Sequence, residues 1–231
     1  TEYPKVYDLT VPSTNNFGLA NGLQVYDTAE TGYIQRQLIK ILEDVVINYD
    51  MVSRNESGNI TEYLYGGDGL DPCSIEKQPI PKYLKDMAVF EDTFQYYQNG
   101  TLVNKEEYEK LLELKKIFEE DYFHKESIFL PINIPRIIKN YVTKNSKCDL
   151  GPDTVFDMVS MFCDELDLYQ NRKNDILSDI NYNATMMFRI MIHMEFSYPM
   201  VVKKRIGYNL LVEMLAYIKQ KFYTSILHPG A

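Results

Sequence analysis

Apolar side chains recur every third or fourth residue through the second half of the chain, and this spacing predicts a set of helices around one core. One helix is predicted from Asp153, a residue type that caps helix N-termini, to about Gln170. Two more are predicted over residues 184–196 and 200–226, the second with a break at Gly207. In the helix that starts at Asp153, the recurring apolar positions are Val155, Phe156, Val159, Phe162, Cys163 and Leu166.

Two further helices are predicted in the middle of the chain. Residues 104–122 place their apolar residues close to one side among many charges, and Asn104 and Glu107 have the spacing of a capping box. This segment is expected to be a surface helix packed on the core. Residues 130–135 predict an extended run that leads into a short helix over residues 136–140, because proline is tolerated in a first helical turn.

The first part of the chain predicts one helix between less regular segments. Residues 1–24 have little periodicity and many turn-forming residues, so an irregular segment is expected there. Residues 28–47 predict a helix with one face inside, which is formed by Ile34, Leu38, Ile41, Leu42 and Val45.

A small β element is predicted next. β-Branched and aromatic residues lie on both sides of residues 55–58, which is typical of a hairpin. The glycine-rich residues 66–69 reach positive φ values at little cost, and the prolines at 72, 79 and 81 keep the following piece extended, as in a linker or a structured loop. The predicted fold class is therefore mainly α with a small β-hairpin element.

Charge and composition limit the function classes. The formal net charge of -9 argues against broad binding to nucleic acid, so any such contact is expected to be local. No apolar run reaches the roughly 18 residues of a membrane span, and residues 1–20 lack the layout of a signal peptide. A soluble intracellular protein without a membrane contact is therefore expected.

Residues with catalytic potential are sparse and scattered. The three cysteines and His124, His193 and His228 have no metal-ligand spacing, and the sequence lacks phosphate-loop, zinc-protease and aspartate-rich motifs. Residues 66–69 fit neither a phosphate loop nor a calcium loop and are interpreted as a turn. Residues 203–205 are better explained as a solvated helix turn than as a phosphate contact, and adjacent acids such as Glu119 and Glu120 as a solvated face. No catalytic residue and no metal site is predicted in this chain.

Methionines cluster between residues 186 and 194. Their adaptable side chains fit a core better than a groove for a partner, although both interpretations remain open. The cluster consists of Met186, Met187, Met191 and Met194.

A family resemblance starts at Thr28. The run TAETGYIQRQLIKILEDVVINYD over residues 28–50 is similar to the C-terminal half of the bridge helix in the largest subunit of multisubunit DNA-directed RNA polymerases. The runs YGGDGLD at 65–71, LPINI at 130–134 and SILHPG at 225–230 follow in the order of the polymerase II type. The resemblance extends to polymerases of large DNA viruses, and it implies a foot-type helical module between the bridge helix and the trigger loop.

The resemblance also implies where nucleic acid would lie. It places Thr28 and Ala29 near the template base and directs Tyr33 and Arg36 toward the nucleic acid. The catalytic Mg²⁺ of the complete polymerase is expected outside this segment, so no cofactor is assigned to the chain itself. Nucleotidyl transfer is therefore expected of the whole enzyme, and this segment alone is not expected to be catalytic.

The domain boundaries follow from the same motifs. Residues 1–27 are a divergent segment, because they do not resemble the glycine-rich first half of a bridge helix. Residues 28–71 correspond to the end of the bridge helix and the following hairpin, 72–226 to the foot, and 227–231 to the lead into the trigger loop. Gln37 stands where the family commonly has a second arginine, which removes one candidate phosphate contact.

The implied partners are other polymerase subunits, the DNA template and RNA–DNA hybrid at the bridge-helix end only, and the mRNA-capping enzyme at the foot. The implied location is the nucleus for a cellular protein, and the host cytoplasm, viral factory or virion for a viral one. The alternative is a free-standing helical interaction domain related to the foot, with no catalytic role. An aspartate-rich metal loop upstream and a trigger loop downstream in the parent gene would distinguish the two.

Overall fold

The computed structural model describes residues 11, 16–26, 28–98, 100–142, 147–166, 168 and 175–230. Its strands are short and antiparallel, and helices dominate, as the sequence predicted. The strands are β1 (Asn16–Gly18), β2 (Gln24–Tyr26), β3 (Val46–Ile47), β4 (Ser53–Arg54), β5 (Ile60–Glu62), β6 (Glu76–Pro79), β7 (Tyr97–Gln98), β8 (Thr101–Leu102) and β9 (Ser127–Leu130). The helices are α1 (Thr28–Leu42), α2 (Lys82–Lys85), α3 (Met87–Phe94), α4 (Lys105–Asp121), α5 (Ile134–Tyr141), α6 (Pro152–Asp164), α7 (Asp175–Glu195), α8 (Tyr198–Lys204) and α9 (Tyr208–Thr224).

The segment before α1 is more regular than predicted. β1 and β2 form a hairpin in which Asn16 lies opposite Tyr26, whereas an irregular segment was expected over residues 1–24. Gly22 closes the turn with φ of 85°, a conformation that glycine adopts at little cost. Residues 1–10 and 12–15 lie outside the described part of the chain.

The predicted hairpin after α1 is confirmed, and a third strand extends it. β4 pairs with β3 on one side and with β5 on the other. The turn over residues 55–58 is closed by a bond from Gly58 N to Asn55 O (2.9 Å). Arg54 holds the sheet by donating to Asp50 Oδ2 (2.8 Å) and to Gly58 O (2.9 Å).

A two-stranded sheet connects distant parts of the chain. β6 and β9 pair antiparallel, with Glu76 opposite Leu130. Between them the chain forms α2, α3, the β7–β8 hairpin and α4, of which only α4 was predicted. The other elements are too short to show a clear hydrophobic period. The piece with prolines 72, 79 and 81 was predicted to be extended, as a linker or a structured loop, and part of it is the extended strand β6.

The core is built around α7, which packs against α4, α5, α6 and α8. Phe188 of α7 stacks on Phe222 of α9 with ring centroids 5.3 Å apart. The methionine cluster belongs to this core, with Met194 fully buried and Met187 8% exposed. The prediction that these methionines fill a core is confirmed, and Met187 also lines a cavity at the edge of that core.

Helix α6 ends earlier than predicted, at Asp164, and its N-cap is Gly151, while Asp153 lies in the first turn. The physical reason for the early end lies in α7. Asn181 Nδ2 donates to Leu166 O (3.0 Å) and Arg189 donates to the same carbonyl (3.1 Å), so side chains replace the next helical bond. The predicted helix end at Gln170 lies outside the described residues.

The predicted break at Gly207 is confirmed. Arg205 ends α8 in the left-handed conformation, with φ of 57°, and α9 starts at Tyr208. A Cβ atom at Gly207 would lie 2.9 Å from the carbonyl oxygen of Lys147. Glycine at this position therefore lets the loop over residues 147–149 approach the helix junction.

Candidate functional site

Helix α1 is the element that was predicted to face nucleic acid, and it is exposed along its length. Every residue from Thr31 to Asp44 is exposed. This includes the predicted inner face, where Ile34 is 50% and Ile41 is 70% exposed. The expectation that this face lies inside the chain is wrong, because no described element covers it.

The predicted site residues share this helix. Tyr33 and Arg36 lie three positions apart, which makes them neighbours on the helix surface. Gln37 Nε2 donates to the Tyr33 hydroxyl (2.9 Å), so the tyrosine ring is held along the helix. Thr28 and Ala29 occupy the first turn of α1, and their side chains lie outside what the structure describes.

Arg36 is accessible for an external partner. Its side chain is exposed, and the ion pairs formed within the described part of the chain do not include it. Lys40, one turn further on, pairs with Glu43 instead. A guanidinium group carries five donors in a planar fork that matches the geometry of a phosphate.

The two ends of the helical module meet at its base. Leu70 pairs with Ile226 in an antiparallel bridge, flanked by bonds from Asp71 N to Ser225 O (2.8 Å) and from Leu227 N to Gly69 O (3.0 Å). Gly69 at this contact has φ of 67°, a conformation that glycine adopts at little cost. We refer to this contact as the base joint.

A further backbone bond ties the C-terminal segment to the sheet that follows α1. Gly230 N donates to Ile47 O (2.7 Å), and Ile47 lies on β3, five residues beyond the end of α1 at Leu42. The run at residues 225–230 is therefore hydrogen-bonded both to the module and to the sheet next to α1.

A buried polar group links α4 to α8. Asn104 occupies the N-cap position of α4 as predicted, but its side chain makes no capping bond. It accepts instead from Tyr96 N (3.2 Å) and donates to Phe94 O (3.0 Å) and to Glu107 (3.0 Å). Glu107 accepts from Tyr198 N (2.8 Å) at the first turn of α8. Burial raises the pKa of Glu107 to about 6, although the bonds from Asn104 and Tyr198 act in the opposite direction.

A second buried polar group, Glu195 at the end of α7, contacts α2 and the last residue of α8. Glu195 accepts from the Tyr83 hydroxyl (2.7 Å) and from Lys204 Nζ (2.6 Å). Burial, followed by the charge of Glu195, raises the pKa of Tyr83 well above its ordinary value, which keeps the hydroxyl a donor. Lys204 was interpreted as part of a solvated turn, and that interpretation is wrong for this residue because its ammonium pairs with the buried carboxylate of Glu195.

His193 lies inside the module on α7 and is 9% exposed. Burial lowers its pKa to about 4, and the positive charges of Lys110 and Arg189 act in the same direction. The imidazole is therefore neutral in the folded protein at neutral pH.

This burial predicts loss of stability in acid. Below pH 6.5 the imidazole of His193 binds a proton in the unfolded chain, whereas in the folded chain it binds one only near pH 4. The free energy of unfolding therefore falls as the pH falls through this window. From pH 7 to pH 5 the loss attributable to His193 is expected to be about 2 kcal/mol. Urea unfolding at pH 7 and at pH 5 gives the free energy of unfolding of the wild type and of His193→Gln. The wild type should lose more free energy of unfolding between the two pH values than the variant does. Equal losses in the two proteins would contradict the assignment.

The described residues contain no group of three or more His, Cys, Asp or Glu side chains placed to hold a metal ion. None of the helices in this part of the chain has both the length and the apolar character that a membrane crossing requires. Cys73, Cys148 and Cys163 are free thiols, and burial raises the pKa of Cys163 to about 12. The features that remain as candidate functional sites are α1 and the surfaces of the helical module.

The family model for RNA polymerase Rpb1, domain 6, matches residues 97–225, which is more than half of the chain. The matched stretch starts at β7 and ends at the base joint, so it contains most of the helical module and does not include α1. The chain belongs to this family, and it is therefore part of the largest subunit of a DNA-directed RNA polymerase. Other polymerase subunits and nucleic acid are the partners that this family implies.

Sequence reasoning missed both buried polar groups. The spacing of Asn104 and Glu107 was noticed, but it was assigned to a local cap, whereas the partner of Glu107 lies 91 residues away. Glu195 follows a strongly apolar run on α7, and a carboxylate at such a position is a signal that a buried partner is required. Tyr83 and Lys204 carry no comparable signal in the sequence.

Proposed function

We propose that the chain forms the part of the polymerase largest subunit that runs from the end of the bridge helix through the foot to the lead into the trigger loop. In this role α1 borders the nucleic acid, and the helical module is a scaffold on which other subunits dock. The observation that carries the proposal is the exposure of both faces of α1 beside a module that buries its own core. A helix with open apolar positions such as Ile34 and Ile41 is suited to lie between other parts of a larger assembly.

The polar side of α1 supports the contact with nucleic acid. Arg36 can donate two parallel bonds to one phosphate, which fixes position without reading sequence. Tyr33, held by Gln37, offers an aromatic face and a hydroxyl on the same side of the helix. Thr28 and Ala29 are small and lie nearest to the start of α1, where the resemblance places the template base.

The chemistry of nucleotide addition would come from the rest of the enzyme. We assign the catalytic Mg²⁺ to residues outside this chain, where it would activate the attacking hydroxyl and stabilise the leaving phosphate. The contribution of this chain would be to hold α1 and the segment over residues 227–230 in place. A capping enzyme is proposed as a partner of the module in a polymerase II-like setting, in the nucleus or, for a virus, in the host cytoplasm, the viral factory or the virion.

Crosslinking in the assembled polymerase tests this placement. With Arg36 replaced by a benzophenone amino acid, illumination of an elongation complex is expected to link the largest subunit to the template strand. The matched control places the same group at Asn209, which is exposed on α9 and remote in sequence from α1. Absence of a template crosslink from position 36, or equal crosslinks from both positions, would overturn the proposal.

A further inference from the structure

Strand β9 has one edge bonded to β6 and one open edge. Ile80 N donates to Glu126 O (3.4 Å) just beyond the paired strands. Bonded pairs alternate with unbonded pairs in an antiparallel ladder, so Gln78 and Ile128 form the next bonded pair. The residues on either side of Ile128 therefore direct their backbone groups away from β6.

The composition of β6 agrees with this alternation. Pro79 lies opposite Ser127 and has no amide hydrogen, so it fits an unbonded pair. The N–H and C=O groups of Ser127 and Phe129 consequently point outward. Within the described part of the chain, no hydrogen bond to these groups closes the outer edge. Such an edge can accept a further strand.

A cavity of about 460 Å³ lies along this open edge. Residues 127–131 form one wall, the turn over residues 66–68 contributes another, and the stacked rings of Phe188 and Phe222 lie in its lining. Phe129 lies at the cavity and is 58% exposed. An apolar side chain that enters here would gain burial against aromatic rings.

Two charged side chains line this cavity without an ion pair among the described residues, Lys125 and Asp68. Lys125 lies over the ring of Tyr122, with Nζ 4.7 Å from the centroid, and the ion pairs of the described residues do not include it. The Asp68 carboxylate accepts from Leu70 N (3.0 Å) and keeps its negative charge when ionised. An incoming carboxylate would be attracted by Lys125 and repelled by Asp68, so the acidic side chain of a ligand is expected beside Lys125.

We propose that this groove binds an extended peptide segment of another polypeptide, which adds a strand to β9, places an apolar side chain in the cavity and sets an acidic side chain beside Lys125. Main-chain bonds to Ser127 and Phe129 supply affinity in this mode, and alternate side chains supply specificity. The inference deepens the docking role proposed for the module. Its test measures peptide binding to the chain itself, whereas the proposed function is tested by template crosslinking from α1. Either result can therefore be negative while the other is positive.

The probe is an acetylated hexapeptide of alternating threonine and valine with a terminal glutamate, titrated into the 231-residue chain. Binding is expected to shift the amide signals of Ser127 and Phe129 and to slow their hydrogen exchange. Ser127→Pro removes one outward donor and leaves the bonds to β6 intact, so it should weaken binding by about tenfold. Ser127→Ala keeps the donor and should bind as the wild type does.

Two further arms do not depend on how the proline variant folds. The same peptide with N-methyl groups on alternate amides cannot pair with the edge and should not bind the wild type. Lys125→Glu should weaken binding several-fold, whereas Lys116→Glu, an exposed position that does not line the cavity, should not change it.

Three outcomes would overturn the proposal. The first is a lack of shifts at Ser127 and Phe129 at millimolar peptide. The second is binding that survives both Ser127→Pro and the N-methylated peptide, which would place the ligand elsewhere. The third is a concentration-dependent dimer in sedimentation that Ser127→Pro abolishes, which would assign the edge to a second copy of the chain.

Discussion

Lys204→Ala is expected to destabilise the helical module by about 3 kcal/mol, because it leaves the carboxylate of Glu195 buried without its counter-charge. The Glu195 side chain is 6% exposed and the Lys204 side chain 23%, so solvent replaces the lost ammonium poorly. For a chain of this length the melting temperature should fall by roughly 6–12 °C. Urea unfolding and calorimetry at pH 7 measure both quantities.

The neighbouring residue supplies the control. Lys203→Ala removes an exposed ammonium from the same helix and should change stability by less than about 0.5 kcal/mol. The double variant Lys204→Met with Glu195→Gln removes both charges and still lets position 195 accept from Tyr83. It should be more stable than Lys204→Met alone. If the double variant is the less stable of the two, the uncompensated charge is not the cause.

Arg36→Ala is expected to slow elongation by the assembled polymerase by roughly ten- to a hundredfold, since one charge-assisted phosphate contact contributes about 1.5–3 kcal/mol. The effect should appear in the elongation rate on a defined template at physiological salt. The stability of the isolated chain should be unchanged, because the Arg36 side chain is exposed and lies outside the core.

A second position on α1 separates a contact with nucleic acid from a general effect on the helix. Gln35 is exposed and points to a different side of α1, so Gln35→Ala should leave elongation near the wild-type rate. Arg36→Lys keeps the charge and loses the planar fork, so it should fall between the wild type and Arg36→Ala. Wild-type elongation by Arg36→Ala would remove the proposed role.

The helices with a sustained apolar period were predictable from the sequence, and the break at Gly207 was predictable from composition. The short helices α2 and α3 were not, because four to eight residues carry too little periodicity to compete with the turn signals of Pro79 and Pro81. The pairing of β6 with β9 was also not predictable, because two four-residue strands far apart in sequence carry no pattern that identifies their partner strand.

The candidate site divides in the same way. The helical spacing predicted α1, and the structure confirms a helix over Thr28–Leu42, which makes Tyr33 and Arg36 neighbours on its surface. The amphipathic pattern of α1 was also evident, but a pattern cannot say whether the apolar side is covered by the same chain or by another one. The roles of Thr28, Ala29, Tyr33 and Arg36 toward nucleic acid stay predictions. Glu107 and Glu195 act through partners in distant segments, which only the tertiary structure defines.

The base joint holds the two ends of the helical module next to each other. Holding Asp71 next to Ser225 closes a loop on the order of 150 residues, and an unfolded loop of that length would oppose the contact with roughly 4 kcal/mol of lost entropy. This loop-closure entropy is already lost when the module between Asp71 and Ser225 folds. The distance between its two flanking segments is consequently independent of the length of the loops inside the module. Insertions or deletions in those loops can therefore accumulate without changing the spacing between α1 and the segment over residues 227–230.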